Sequence, residues 1–164
     1  METTNAKGSA RLLHLSVARS VIAVGEQFEP EALSALLYAG ARTPVLLYPE
    51  LALETVQPPK FNSSLISNPS ALRLVALDAT WRKSRKMLYL NPLLQSLPRL
   101  PLNDAPAARY LIRKAHAAHQ LSTLEASCYA LAQLTGSMAP FQPLLDQFDN
   151  FVVRFQATGG RLGP

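Results

Sequence analysis

Short runs of apolar residues alternate with amphipathic segments along this chain, and this alternation limits the folds it can adopt. The clearest runs are "PVLLYP" at 44–49 and "LRLVALD" at 72–78, and another, "SVIAV", lies at 20–24. Short runs with little polar alternation are typical of strands that are buried on both faces of a parallel sheet. The pattern therefore predicts an α/β fold with a mostly parallel sheet and helices on both faces. Further extended segments are predicted at 97–102 and 110–114.

Amphipathic helices are predicted between and after these runs, at 28–40, 80–90, 122–136 and 140–155. The third has the clearest boundaries, because Ser122 and Glu125 form an S-x-x-E capping box and Gly136 can end the helix. The last carries an apolar stripe at helical spacing, which indicates a surface that faces the core. Residues 54–70 are rich in proline and turn-forming residues and are predicted to be a loop.

Length and composition favour a single soluble domain. The chain has 164 residues and is 48% hydrophobic, so it can bury a sizeable core. It has no run near the ~20 apolar residues that a membrane-spanning helix needs, and its N-terminus lacks the layout of a signal peptide. We therefore expect one domain over residues 1–164, with a flexible tail from residue 155, that is cytoplasmic, monomeric and without a membrane partner.

The cysteine and histidine content argues against a metal site. Cys128 is the only cysteine, which excludes an intramolecular disulfide and a multi-thiolate zinc site. His116 and His119 are three residues apart, which suits a surface pair better than a metal site. No metal ligand is predicted.

The positive charge is concentrated in a few places. The formal net charge is +5 although only 16% of the residues are charged, and four of the cations lie at 82–86, directly after the run that ends at Asp78. A cluster of this kind favours a polyanionic partner, most often a nucleic acid. A protein that is merely basic is the alternative.

Asp78 stands at the end of the strongest apolar run, and several interpretations compete for it. Asp78 or Thr80 can simply cap the following helix. A phosphatase of the haloacid-dehalogenase type would need a second aspartate where Thr80 stands. In a plain RNA-binding module the cations would hold phosphates while Trp81 stacks a base, but a carboxylate among those cations would weaken binding. A general base for a nucleobase proton accounts for both the carboxylate and the cations.

Several motifs in order resemble those of the DTW-domain family. "LDATW" at 77–81 is similar to the family's D-x-T-W signature, and "PVLLYP", "YLIRK" at 110–114 and "LSTLEA" at 121–126 are similar to its other segments. The resemblance extends from about Asn5 to Phe155. Two departures are the absence of cysteine from the residues before Asp78, where family members often carry a cysteine-rich, zinc-binding segment and none is expected here, and an altered "TNT"-like element at the N-terminus.

The resemblance implies a tRNA-uridine aminocarboxypropyltransferase. Such an enzyme moves the 3-amino-3-carboxypropyl group from S-adenosylmethionine to N3 of a tRNA uridine, here expected in the variable loop, with the D loop as the alternative. It also implies a SPOUT-like fold with a knot at the cofactor site, a feature that sequence pattern alone would not suggest. An S-adenosylmethionine-dependent RNA methyltransferase and a non-catalytic RNA-binding module are the alternative functions.

Together, the resemblance and the strand-end positions predict a site. Asp78 is expected to be the general base for N3, made more basic by desolvation at the end of a buried strand. Trp81 either stacks the uracil or packs as core, and Thr80 is expected to be a cap. Predicted cofactor residues are Leu47, Tyr48, Pro49, Leu77, Asp78, Leu121, Ser122, Thr123, Glu125 and Ala126. Predicted RNA contacts are Arg11, Arg82, Arg85, Lys86, Arg113 and Lys114.

Overall fold

The computed structural model describes residues 6–50, 58–59, 61–62, 64, 67–103 and 121–157. The elements in these ranges are α1 (Ala6–Ser16), α2 (Pro30–Leu37), β1 (Thr43–Leu47), β2 (Leu72–Val75), α3 (Trp81–Leu90), α4 (Pro92–Gln95), β3 (Arg99–Leu100), α5 (Thr123–Thr135) and α6 (Gln142–Ala157). Short 3₁₀ turns lie at Ala39–Ala41 and Pro69–Ala71.

The described strands form one parallel sheet in the order β2-β1-β3. Val45 of β1 lies opposite Leu74 of β2, and Leu46 lies opposite Arg99 of β3. The predicted parallel sheet is therefore confirmed, with β1 in the middle and the carboxyl ends of all three strands at one edge.

The side chains of β1 alternate between the two faces of the sheet, as the period of a strand requires. Leu46 and Tyr48 join a core cluster with residues of α2, α3 and α4. Val45 joins a second cluster on the other face with Ala130 and Leu134 of α5. The prediction of helices on both faces is confirmed.

Helix α5 is covered on its outer side by α1 and α6. Leu124 and Cys128 of α5 pack with Leu145 and Phe148 of α6 in a third cluster, and Leu12 of α1 packs against it. The predicted end of α5 is also confirmed, because Gly136 adopts the left-handed conformation, with φ of 72°, that glycine accepts without strain.

The prediction of a strand at 20–24 is wrong. These residues have no regular structure, and the side chains of Val21 and Val24 are 65% and 92% exposed. Apolar, β-branched composition favours a strand only where a neighbouring strand and a core face are available. Helix α1 was not predicted, because Gly8 and the polar residues beside it obscure the helical period. The segment at 110–114 lies outside the described residues.

Buried and half-buried polar side chains hold the elements near the site in place. Asn91, which ends α3, donates through Nδ2 to the carbonyl of Glu26 at 2.8 Å and accepts from the amide of Phe28 at 3.0 Å. Arg73 of β2 donates to the carbonyls of Leu36 and Ala39. Its positive charge is stabilised there by the negative, C-terminal end of the α2 dipole. None of the described helices has the length and apolarity that crossing a membrane requires.

Candidate functional site

The carboxyl end of β2 directs Asp78 towards α5. Leu74 packs on the α5 side of the sheet and Val75 on the other side, and the same alternation, continued past the strand, brings Asp78 back to the α5 side. There the hydroxyl of Thr123, the first residue of α5, donates to Oδ1 of Asp78 at 2.6 Å. Two segments that are far apart in the chain are thus joined at the carboxyl edge of the sheet.

A small cleft lies beside this hydrogen bond. Its volume is about 130 Å³, and its described walls are Leu47, Ala76, Leu77, Ala79, Leu121, Ser122, Thr123 and Ala126. The structure therefore brings together all three loops that the sequence predicts for a cofactor. Four predicted cofactor residues are not among the described walls: Tyr48, Pro49, Asp78 and Glu125.

Glu125 has a structural role instead. Its Oε2 accepts from the amide of Ser122 at 2.9 Å, and Ser122 Oγ accepts from the amide of Glu125 at 3.2 Å. These two hydrogen bonds confirm the predicted capping box. Ser122 and Glu125 are each 2% exposed, so both side chains are engaged in the cap. It also fixes the first turn of α5, whose amides at Thr123 and Leu124 have no acceptor among the described residues.

The expected desolvation of Asp78 is wrong, because this side chain is exposed. The reason is topological, because β2 is an edge strand of the described sheet and Asp78 follows its carboxyl end. Asp78 and Arg82 form no ion pair with each other in the described structure, and the salt bridge at this end of α3 joins Lys86 to Glu26. Asp78 is held by Thr123 instead.

Thr80 caps α3, as expected. Its backbone is extended, and its side chain accepts from the amide of Lys83 at 3.4 Å. The cap places Trp81 at the first position of α3, immediately beyond the loop that carries Asp78.

Trp81 stacks on Tyr48 and does not enter the core. The two ring centroids are 5.1 Å apart and the rings are nearly parallel, at 8°. Tyr48 is 5% exposed and Trp81 is 47% exposed. The Tyr48 hydroxyl forms a 3.0 Å hydrogen bond with Ser84 Oγ of α3, and the guanidinium carbon of Arg99 lies 5.4 Å from the centre of the Tyr48 ring.

An open depression lies at the start of α3. It has a volume of about 410 Å³ and is lined by Trp81, Arg82, Arg85 and Lys86. We call these four residues the α3 groove. Lys86 forms a 2.6 Å salt bridge with Glu26, and this hydrogen bond and the Lys86 charge hold the pKa of Glu26 below its ordinary value. Neither Arg82 nor Arg85 forms an ion pair with a described residue.

Of the remaining predicted RNA contacts, Arg11 is the one that the structure describes. Arg11 lies exposed on α1 and is not among the described residues that line the groove. Arg113 and Lys114 lie outside the described residues.

Sequence reasoning missed Glu26, Ser84 and Arg99. Arg99 had a signal, since it is a charged residue inside the apolar stretch "LPRLPL" and a buried arginine needs a partner. Ser84 and Glu26 had none, because their partners Tyr48 and Lys86 are adjacent only in the folded chain.

The fold and the site define an α/β protein with a carboxylate and a cleft at the carboxyl edge of a parallel sheet, beside a groove of cations and one tryptophan. The family whose profile matches residues 1–156 is the DTW domain, and the chain belongs to this family. The DTW domain is associated with tRNA modification. The corresponding comparisons with curated proteins and with solved structures give no match.

Proposed function

We propose that this protein transfers the 3-amino-3-carboxypropyl group of S-adenosylmethionine to N3 of a tRNA uridine, with the variable loop as the expected position. The observation that carries the proposal is the hydrogen bond from Thr123 to Asp78, which holds a carboxylate on a residue that lines a cleft at the carboxyl edge of a parallel sheet. Ligands of open α/β sheets bind at this edge, and the family's association with tRNA modification supports an RNA substrate.

The described residues fit part of S-adenosylmethionine. Leu47, Leu77 and Leu121 offer apolar walls for an adenine ring, and the amides at the start of α5 suit a carboxylate, because a helix N-terminus carries partial positive charge. The volume of about 130 Å³ is below the ~300–1,000 Å³ of typical ligand pockets. The described walls therefore account for one part of the site. The SPOUT-like knot at the cofactor site is part of the same proposal. Of the SPOUT-like architecture, the described residues show the parallel sheet with its helices and not the knot.

S-adenosylmethionine supplies a carbon that is activated by the neighbouring sulfonium. Asp78 accepts the proton of uridine N3, so that N3 can attack this carbon. The N3–C bond forms as the C–S bond breaks, and methylthioadenosine leaves. Thr123 keeps Oδ1 of Asp78 in place during proton transfer. Because Asp78 is exposed, the uracil itself must displace water from the carboxylate. After the modified uridine has left, solvent can take the proton from Asp78.

Positioning distinguishes this reaction from methyl transfer, which uses the same donor. The carbon that reacts is the one aligned with N3, and alignment of this kind contributes several kcal/mol, about 7–11 in well-oriented model reactions. A methyltransferase is therefore the second candidate, and the same cleft and the same base would serve it.

The α3 groove is proposed to hold RNA phosphates next to the cleft. Arg82 and Arg85 are exposed. Arg82 directly follows Trp81 and lies four residues after Asp78. Arginine suits this task, because its planar guanidinium can bind two phosphate oxygens at once.

A labelling experiment tests the proposal. tRNA that lacks the modification is incubated with S-adenosylmethionine carrying heavy carbon either in the methyl group or in the methionine carboxyl group, and the nucleosides are analysed by mass spectrometry. Aminocarboxypropyl transfer retains the carboxyl label on uridine and sends the methyl label to methylthioadenosine. Methyl transfer gives the opposite distribution. A non-catalytic binding module leaves both labels on the donor, which would refute the proposal.

A further inference from the structure

The stacked pair of Tyr48 and Trp81 presents one aromatic face to solvent. Tyr48 covers one face of the indole in a parallel arrangement at 5.1 Å, yet 47% of Trp81 is exposed. The exposed part lies in the α3 groove beside Arg82 and Arg85. A half-covered indole next to cations is the arrangement with which proteins bind unpaired bases, since the ring stacks the base and the cations bind its phosphates.

The position of Tyr48 indicates that the platform is preorganised. Tyr48 is 5% exposed and directly follows the central strand. Its hydroxyl bonds Ser84 Oγ, one turn beyond Trp81 on α3, and Arg99 lies against its ring. The Tyr48 ring therefore fixes both the tilt of the indole and the start of α3 relative to the sheet.

We propose that Trp81 stacks an unpaired RNA base next to the uridine that is modified, and that Tyr48 is a positioning residue that holds Trp81 ready for this base. Trp81 lines the α3 groove, whereas Thr123, which holds Asp78, lines the cleft, and we therefore assign the base stacked on Trp81 to a subsite apart from the uracil at Asp78. The inference rests on the proposed RNA substrate and adds a nucleotide subsite to it.

Fluorescence tests the stacking directly, because Trp81 is the only tryptophan of the chain. The probes are an oligouridylate of about ten nucleotides and an abasic strand of the same length, with no S-adenosylmethionine present. Oligouridylate is expected to quench the Trp81 emission. The abasic strand is expected to bind through its phosphates and to cause little quenching. Equal quenching by both strands, saturation by oligouridylate without quenching, or no binding of oligouridylate would overturn the proposal.

Variants separate stacking from folding. Trp81→Ala is expected to weaken oligouridylate binding by about fivefold to a hundredfold, measured as anisotropy of a labelled strand. Tyr89→Ala is the matched control, because Tyr89 is an 80% exposed aromatic residue of the same helix, and it should change nothing. Equal effects of the two variants would refute the role of Trp81.

The role of Tyr48 is tested by a conservative pair. Tyr48→Phe keeps the ring but loses the hydrogen bond to Ser84 Oγ and should cost only a small part of the affinity and quenching. Tyr48→Leu removes the ring and should weaken oligouridylate binding strongly without changing its salt dependence. A folded Tyr48→Leu variant with normal affinity and quenching refutes the positioning role. If this variant does not fold, Ser84→Ala replaces it, with a smaller loss of affinity expected, and normal affinity and quenching there would likewise refute the role.

Turnover distinguishes this inference from the proposed function. Trp81→Ala should raise KM for tRNA more than it lowers kcat, because the stacked base is not the reacting one. A drop in kcat with unchanged KM would place the reacting uracil on Trp81 and overturn the inference while leaving aminocarboxypropyl transfer intact. Quenching without any transfer would refute the proposed function alone.

Discussion

Thr123 donates to Oδ1 of Asp78 at 2.6 Å and thereby connects the first turn of α5 to the loop after β2. The Thr123 hydroxyl orients the carboxylate but carries no charge itself. Asp78 can therefore be tested for proton transfer and Thr123 for positioning, each by its own variant.

Asp78→Asn should retain the fold and S-adenosylmethionine binding but lose most transfer, since loss of a general base typically costs ~10²–10⁴-fold. Transfer is measured as modified uridine per enzyme, and the fold by thermal melting. Near-normal turnover of the variant would show that Asp78 is not the base.

Thr123→Val should lower kcat by about tenfold, the equivalent of one hydrogen bond, while its melting temperature changes little because the bond is exposed. Thr123→Ser should restore activity. Thr135→Val is the control, since Thr135 lies at the other end of α5 and bonds the carbonyl of Leu131. Equal activity of the Thr123→Val and Thr135→Val variants would remove Thr123 from the site.

Arg82→Ala and Arg85→Ala should each weaken binding to all tRNA sequences alike and reduce the slope of log affinity against log salt by about 0.7–0.9. Lys86→Ala should have a smaller effect, because Lys86 is already paired with Glu26. Arg42→Ala is the control, since Arg42 precedes β1 at the opposite edge of the sheet. Binding titrations at two salt concentrations measure these slopes, and unchanged slopes in all variants would place the RNA surface elsewhere.

Glu26→Gln should strengthen tRNA binding, because Lys86 then becomes available to a phosphate. The pKa of Glu26 is lowered from 4.5, so the salt bridge is present above that value and is lost only as the pH falls through the lowered pKa. The difference between wild type and variant should therefore stay constant around neutral pH. Titrations at several pH values measure it, and weaker binding by Glu26→Gln would contradict the competition between Glu26 and phosphate.

Cys128 should resist alkylation in the folded protein. It is fully buried in the cluster of α5 and α6, and burial, together with the charge of Glu125, raises the pKa of its thiol to about 11. The thiolate is the reactive form, so a native sample at pH 8 should react with iodoacetamide only as fast as it unfolds. Stability should decline as the pH rises above 9.0, the ordinary value, towards 11. Fast alkylation below the unfolding transition would contradict this placement.

Local sequence pattern predicted the features that depend on neighbours in the chain. Strand β1, the capping box of Ser122 and Glu125 and the cap at Thr80 all follow from residues within a few positions of one another. The meeting of the loops at Leu47 and Leu77 also followed, because parallel strands end at one edge, whereas the third loop, at Thr123, was predicted from the family resemblance.

Pattern failed where contacts across the fold decide the outcome. Val21 and Val24 have strand-forming side chains but no neighbouring strand in the described structure. The exposure of Asp78 depends on the edge position of β2, and the pairing of Lys86 with Glu26 joins residues that are 60 positions apart. The stacking of Trp81 on Tyr48 likewise depends on how α3 lies on the sheet.

The order β2-β1-β3 has a consequence for synthesis on the ribosome. The central strand is made first, and its first hydrogen-bonding partner, β2, emerges ~30 residues later, a delay of a few seconds at ~5–20 residues per second. During this interval α2 is the finished element that can cover Leu46, through Leu33 and Leu37 of the same core cluster. We therefore expect α2 to protect the nascent central strand from aggregation, and its apolar face to matter for yield as much as for final stability.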